Sequence, residues 1–329
     1  MSLPAWTRAH GSPLFAAAIR TTPAEFDVAE ELGFEFDGEG EHDYLYVEKT
    51  ATNTEWLSRQ LAQFADVPAK DVGYSGLKDR HAVTRQWFSV PRWNSPSWDD
   101  VEIEGVSILD IQRHSKKLRR GAHKANRFRI VMRGELPPNA ELEHRLALIR
   151  KLGVPNYFGE QRFGRGGGNI ELANSWAAGK RLPRHKRSIA ISSARSFLFN
   201  EQLHARVEEG SWNQIQTGDV ASLEGSRSVF DVEQVDDTLR KRCAELDIHP
   251  AGLLWGDGAA SEEAPPGHDT WLRALSKARV KAAYRSLRLR VMDFEWQLGD
   301  EALTLRFGLS RGAFATSVLR EISNITDTG

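Results

Sequence analysis

The chain has 329 residues and a formal net charge of −1, with 44 basic and 45 acidic side chains, 40% hydrophobic and 27% charged residues. This profile fits a folded protein about two average domains long and excludes a disordered chain. One cysteine, Cys243, excludes a disulfide framework and a cysteine-ligated zinc or iron–sulfur site, and the apolar run Leu14–Ile19 is too short for a signal-peptide core or a membrane span, so a cytoplasmic protein with no membrane contact is expected.

In chain order, residues 43–48 (Asp-Tyr-Leu-Tyr-Val-Glu) read as a strand. Asn53 or Thr54 caps a helix that places Trp56, Leu57, Leu61 and Phe64 on one face. Gly73 and Gly76 punctuate a loop, and strands are predicted at Gln86–Val90, Val106–Ile111 and Phe128–Met132. In the last of these, Phe128, Ile130 and Met132 face one way, and Arg127, Arg129, Val131 and Arg133 the other. A helix over Glu141–Leu152 turns Leu142, Leu146, Ile149 and Leu152 inward, and Asn156–Asn169 reads as a loop. Further helices are predicted near Ser193–Val207 and Leu272–Leu287, with a mobile loop at Asp257–His268. Strands at Phe294–Leu298 and Leu303–Leu309 and a helix over Gly312–Ile322 complete the chain. Runs of strands with helices between them predict an α+β fold.

Charge is segregated. Thr21 to Glu48 holds ten acidic residues and no Lys or Arg, whereas Arg113 to Arg133 holds nine Lys or Arg and no acid. Such a basic segment either meets a polyanion such as RNA or is a solvated face with local pairing. Ten tryptophans serve a core first, and tryptophan also stacks on nucleobases.

The densest chemical cluster runs from Gly73 to Trp87 and contains Gly76-Leu77-Lys78-Asp79-Arg80. Cations on both sides of Asp79 favour its ionised form, which suits a nucleophile or a base. The same three residues also suit a surface turn in which Asp79 only pairs with Lys78 or Arg80. A second cluster, Asn156 to Asn169, alternates aromatics and arginines among five glycines. It lacks the phosphate-loop and dinucleotide patterns, and suits either a nucleic-acid surface or a packed junction loop. Glu39, Glu41 and His42 have no recognised metal-ligand spacing, and neither His-Glu-x-x-His nor Gly-x-Ser-x-Gly occurs. No metal site is therefore expected.

Taken in order, several segments resemble the tRNA pseudouridine synthase D (TruD) family over nearly the whole chain. They are Pro23-Ala24-Glu25-Phe26-Asp27-Val28-Ala29-Glu30, Gly38-Glu39-Gly40-Glu41-His42, Asn53-Thr54 and the Asp79 cluster. Gly121 to Phe128, Pro155 to Gly164, Ser192 to Ser196 with Phe199-Asn200, and Gly312 to Ser317 continue the series. The resemblance implies a pseudouridine synthase catalytic domain, a mixed or antiparallel sheet with helices, formed by residues 1–152 and 289–329. It carries an inserted α/β TRUD domain at residues 153–288.

The activity implied is isomerisation of uridine 13 in tRNA, without metal or organic cofactor, by a monomer with no obligate protein partner. The resemblance makes Asp79 catalytic and places Phe26, Asn126 and Phe314 on the substrate. Relatives often carry Lys where this chain has Arg20. Arg is the basic partner of the catalytic Asp in other pseudouridine synthases, so Arg20 is expected to orient Asp79, although the two cations differ in geometry.

Phe128 adds a further apolar wall for the extruded base, and Lys116, Lys117, Arg119 and Arg120 are expected to meet tRNA phosphates. Asp79 either attacks the ribose anomeric carbon or removes a neighbouring sugar proton; the residues do not choose. Since Phe26, Asp79 and Asn126 precede the middle segment and Phe314 follows it, the chain is expected to return to its first domain. The rival classes are an inert RNA-binding module and a nuclease, the latter needing a metal cluster or a His pair that is not evident.

Overall fold

The computed structural model describes residues 3–94, 96–259 and 264–329. Its contacts divide the chain into two compact units. A sheet unit comprises Leu14–Leu142, Val291–Gly312 and Ser323–Gly329; a helix-rich unit comprises residues 3–13, Glu143–Arg290 and Ala313–Ile322. Residues 3–13, 143–152, 289–290 and 313–322 thus group with the middle segment rather than with the sheet. The fold class is α+β, as expected.

The sheet unit is built on strands β1 (Phe15–Ile19), β2 (Phe26–Leu32), β3 (His42–Thr50), β4 (Gly73–Tyr74), β5 (Val83–Pro91), β6 (Val106–His114) and β7 (His123–Arg133). Three later strands, Met292–Leu298, Ala302–Ser310 and Ser323–Asp327, complete a ten-stranded sheet. Ala302–Ser310 lies between Met292–Leu298 and β7, and the order continues β2, β5, β3, β6. β1 pairs with Ser323–Asp327 and with β7, and β4 pairs with β5. Most pairings are antiparallel; β2 with β5 and β1 with Ser323–Asp327 are parallel. The long central strand β7 bonds to Ala302–Ser310 on one side and β2 on the other.

Helix α1 (Thr54–Phe64) starts where Asn53 accepts hydrogen bonds from the amides of Glu55 and Trp56. Leu57 and Leu61 pack with Leu45, Val47, Phe88 and Val90 of β3 and β5. Trp56 and Phe64, expected on one face with Leu57 and Leu61, are 44% and 38% exposed while those two leucines are buried. The buried stripe runs through Thr54, Leu57, Ser58, Leu61 and Ala62, whose smaller members let the helix axis lie close to the sheet.

In the helix-rich unit, the helix Arg184–Glu208 extends the prediction at Ser193–Val207 by more than two turns, and Gly168–Ala177 forms a helix the sequence reading lacked. Tyr157, Phe163, Phe199, Leu203, Trp255 and Leu275 contribute to one core. Within the expected loop Asn156–Asn169, Glu160–Phe163 and Arg165–Gly167 wind into 3-10 turns.

The helix predicted over Leu272–Leu287 is a correction: it spans Asp269–Lys277 and stops as Arg279 turns left-handed. The following Ala283–Ser286 is a strand paired antiparallel with Ile248–Leu254, where backbone pairing overrides helical spacing. The predicted helix over Gly312–Ile322 is reduced to Ala315–Leu319. Of the expected mobile loop Asp257–His268, residues 260–263 lie outside the described residues. Among the described residues, no helix is long and apolar enough to cross a membrane.

Candidate active site

Asp79 lies in the loop joining β4 to β5. Gly73 at the head of β4 is required by close approach: a Cβ there would meet the Leu118 carbonyl at 2.4 Å and Ser89 Oγ at 2.5 Å. The loop after β6 is thereby seated on β4 and β5, with the amide of buried Leu118 donating to Ser89 Oγ at 2.9 Å.

Arg20 follows β1 in a left-handed conformation, φ 59°. Its Nη2 is 2.8 Å from Asp79 Oδ2, and its Nη1 donates to the carboxylate of Asp327 on the terminal strand. Its guanidinium carbon stands 4.0 Å from the centre of the Phe26 ring. Asp79 Oδ1 accepts from the His81 amide at 3.1 Å, so a side-chain turn and a guanidinium both orient the carboxylate. The Arg20 side chain is 8% exposed and that of Asp79 30%, leaving the carboxylate within reach of a substrate.

The expectation that Lys78 and Arg80 flank the carboxylate is corrected by the geometry. Lys78 Nζ pairs with Glu30 Oε2 at 2.7 Å in a pair almost wholly removed from solvent. Arg80 Nε donates to the Ala51 carbonyl at 3.2 Å. The cation in contact with the Asp79 carboxylate is instead Arg20, just after β1 and far away in sequence.

Beneath the loop, Lys49 is fully buried on β3. Its Nζ donates to the carbonyls of Thr52 at 2.6 Å and of Asp79 at 3.2 Å. Burial lowers the Lys49 pKa to about 8; the Asp79 carboxylate opposes that shift and Lys78 adds to it.

Register sets the neighbouring wall. Phe26 lies opposite Ile130, Val28 opposite Phe128 and Glu30 opposite Asn126, so Phe26, Glu30, Asn126 and Phe128 share one face of the β2–β7 pair. The Phe26 and Phe128 rings meet edge to face at 6.4 Å, and Phe128 stacks on Phe307 at 5.3 Å. Asn126 Oδ1 is buried without a hydrogen-bond partner. Ser75 Oγ is 2.5 Å from His123 Nδ1, and burial, then Lys78 and Arg311, lower the His123 pKa to about 4, so the ring is neutral near pH 7.

The four basic residues of the loop after β6 differ. Lys116, Arg119 and Arg120 are exposed and Lys117 is half-buried. Lys117 Nζ donates to the Lys70 carbonyl at 2.5 Å. Arg120 lies 3.6 Å from the centre of the Tyr74 ring and donates to its hydroxyl. Phe314 belongs to the helix-rich unit, at the start of Ala315–Leu319, with its ring 6.1 Å from that of Phe158.

Sequence reasoning missed Lys49, Glu30, His123 and Asp327 as parts of this constellation. A lone lysine in a strand of large apolar and aromatic side chains was a readable signal for Lys49. Asp327 had none, because its place depends on parallel pairing between the two ends of the chain.

The family model described as tRNA pseudouridine synthase D (TruD) matches residues 7–172 and 170–322. A tRNA pseudouridine synthase D of Methylococcus capsulatus is 43% identical over 336 residues, covering 98% of this chain and 95% of the relative. One of Nitrosococcus oceani is 44% identical over 326 residues, covering 94% and 91%. The crystal structure of a tRNA pseudouridine synthase D candidate from Methanosarcina mazei shares the fold, with a TM-score of 0.71 at 19% identity over 99% of this chain and 97% of that one. Similarity of this depth over almost the full length means that the chain belongs to the tRNA pseudouridine synthase D family, and that it is a pseudouridine synthase.

Proposed function

We propose that this enzyme isomerises uridine 13 of tRNA to pseudouridine, with Asp79 as the catalytic carboxylate, Arg20 as its basic partner and no cofactor. The observation that carries the reading is the 2.8 Å contact between Arg20 Nη2 and Asp79 Oδ2 on a carboxylate that remains partly exposed. The reaction breaks the bond from uracil N1 to the ribose, turns the base and joins C5 to the same carbon; C5 then loses its proton and N1 gains one, so the product is an isomer of the substrate. No electrons are exchanged with a second reactant and no atoms are added, so two protein groups that hold and stabilise charge suffice.

The target base leaves its stack first, at a cost of a few kcal/mol. Phe26 and Phe128 offer it apolar walls, and the buried, unpartnered Oδ1 of Asn126 accepts from an N–H on its polar edge. Asp79, oriented by Arg20, serves either as nucleophile at the anomeric carbon or as base toward a sugar proton. Phe314 is a further substrate contact in this reading. Lys116, Lys117, Arg119 and Arg120 are assigned to tRNA phosphates, with Lys116 and Arg119, which are exposed and not engaged with the Lys70 carbonyl or the Tyr74 ring, best able to reach them.

The functional division we infer is a catalytic part, residues 1–152 with 289–329, and an inserted TRUD part, residues 153–288, acting as a monomer in the cytoplasm. The test is incubation of the pure protein with unmodified tRNA, followed by pseudouridine mapping. A product at position 13 with protein alone is expected. No product removes the catalytic reading, and a product elsewhere removes the position.

A further inference from the structure

From Leu172 to Asn200 the sequence holds six Lys or Arg and no acidic residue, in a chain whose net charge is −1. Five of the six, Lys180, Arg181, Arg184, Lys186 and Arg187, fall within eight residues at the start of the helix Arg184–Glu208, and all five are exposed. Among the described residues, none of the five makes an ion pair or a side-chain hydrogen bond. Arg20, Lys78, Arg85, Arg127, Arg133 and Arg206, by contrast, each meet a carboxylate.

The placement also opposes the stability of the helix that bears it. The first turn holds no acidic residue, and Pro183 at its head supplies no side-chain cap. Cations at a helix N-terminus face the positive end of the macrodipole, so these side chains weaken the helix. A role in folding therefore does not account for them, whereas an anion at the same place gains from the cations and from the unbonded N–H groups of the first turn together.

Farther along the helix the cations are engaged with the protein: Arg195 is half-buried and donates to the carbonyls of Leu254 and Lys281, and half-buried Arg162 donates to Ser192 Oγ at 2.8 Å. Among the described residues, the exposed, unpaired charge here is that of residues 180–187. The one large apolar side chain exposed here is Ile189, which gives no apolar centre of the kind a protein–protein interface has.

We infer that Lys180, Arg181, Arg184, Lys186 and Arg187 form an RNA phosphate-binding surface on the helix-rich unit, separate in sequence from the basic loop after β6. The inference rests on the reading that the substrate is tRNA.

The test uses the full chain with all five residues changed to Gln. The affinity for unmodified tRNA is measured between about 50 and 200 mM salt, alongside the unfolding temperature. The dependence of log Kd on log salt is expected to become shallower by about one unit per lost contact, so by about three to five, with at least tenfold weaker binding at low salt. The unfolding temperature is expected to stay level or rise. Unchanged affinity and slope overturn the surface, and so does a fall in unfolding temperature, which would make these cations structural. Pseudouridine mapping on the wild type is scored separately, so failure of the tRNA reading shows as missing product whatever the slopes are.

Discussion

The ammonium of Lys49 stands 3.2 Å from the backbone carbonyl of Asp79, with no solvent exposure of its own. It ties the loop that bears the carboxylate to β3 without touching the carboxylate. Lys49→Met keeps the length and removes both bonds, leaving the Thr52 and Asp79 carbonyls without this donor. The variant is expected to lose about tenfold or more in kcat, the order of effect of a small displacement of a reacting group, while its tRNA affinity stays within about twofold. Equal kcat in the two proteins would remove the positioning role.

Titration of Lys49 gives a second readout of the same residue. Its pKa in the folded protein, about 8, lies below its ordinary 10.5. Between those values the unfolded chain binds more protons, so stability of the wild type relative to Lys49→Met should rise as pH climbs from about 8 to about 10.5, and should be flat below about 8. Denaturant unfolding of both proteins at several pH values checks the sign.

Asp79→Asn preserves shape and removes the charge. Single-turnover pseudouridine formation is expected to fall by about 10³-fold or more, with folding and tRNA affinity unchanged. Arg20→Met should fall as well, because Asp79 and Asp327 both lose their cation, and Arg20→Lys should recover part of the loss. Rapid-quench assays with mapped product decide each case.

The Glu30–Lys78 pair is buried, so breaking it is costlier than deleting it. Glu30→Leu alone strands a cation and should destabilise by about 3–5 kcal/mol, and the double variant with Lys78→Met should cost much less than the sum of the two single changes. A double-mutant cycle by denaturant unfolding measures the coupling; additive losses would show that the two do not interact.

In the loop after β6, alanine at Lys116 or at Arg119 should each lower the salt dependence of tRNA binding by about one unit. Lys117→Ala and Arg120→Ala should change it less, since these side chains are engaged with the Lys70 carbonyl and the Tyr74 ring. Equal slopes for all four variants would mean that the protein-bound pair also reaches the RNA.

Alternation of side chains was enough to find β7, residue type marked β3 and β5, and Asn53 announced α1 through its own chemistry. Family motifs pointed to Asp79, Arg20, Phe26 and Asn126. The Leu272–Leu287 helix was misread because helical spacing in a short segment yields to backbone pairing with a strand distant in sequence; the terminal helix stops at Leu319, where residues 320–322 turn before the strand Ser323–Asp327. The contact of Asp79 with Arg20 was expected from the family resemblance alone, whereas Lys78 and Arg80, which adjacency in sequence offers as partners, are engaged elsewhere.

By itself, the amino-acid order determined the α+β class, the family and the residue types of the site, since these rest on local periodicity and on motifs contiguous in the chain. Only the tertiary structure decided that Lys78 turns away to Glu30, that Lys49 holds the loop that bears Asp79, and that Asp327 closes on Arg20. Each of those contacts joins residues brought together by sheet register or by a loop seated on the sheet, and register is set by the summed pairing of whole strands, which no short stretch of sequence contains.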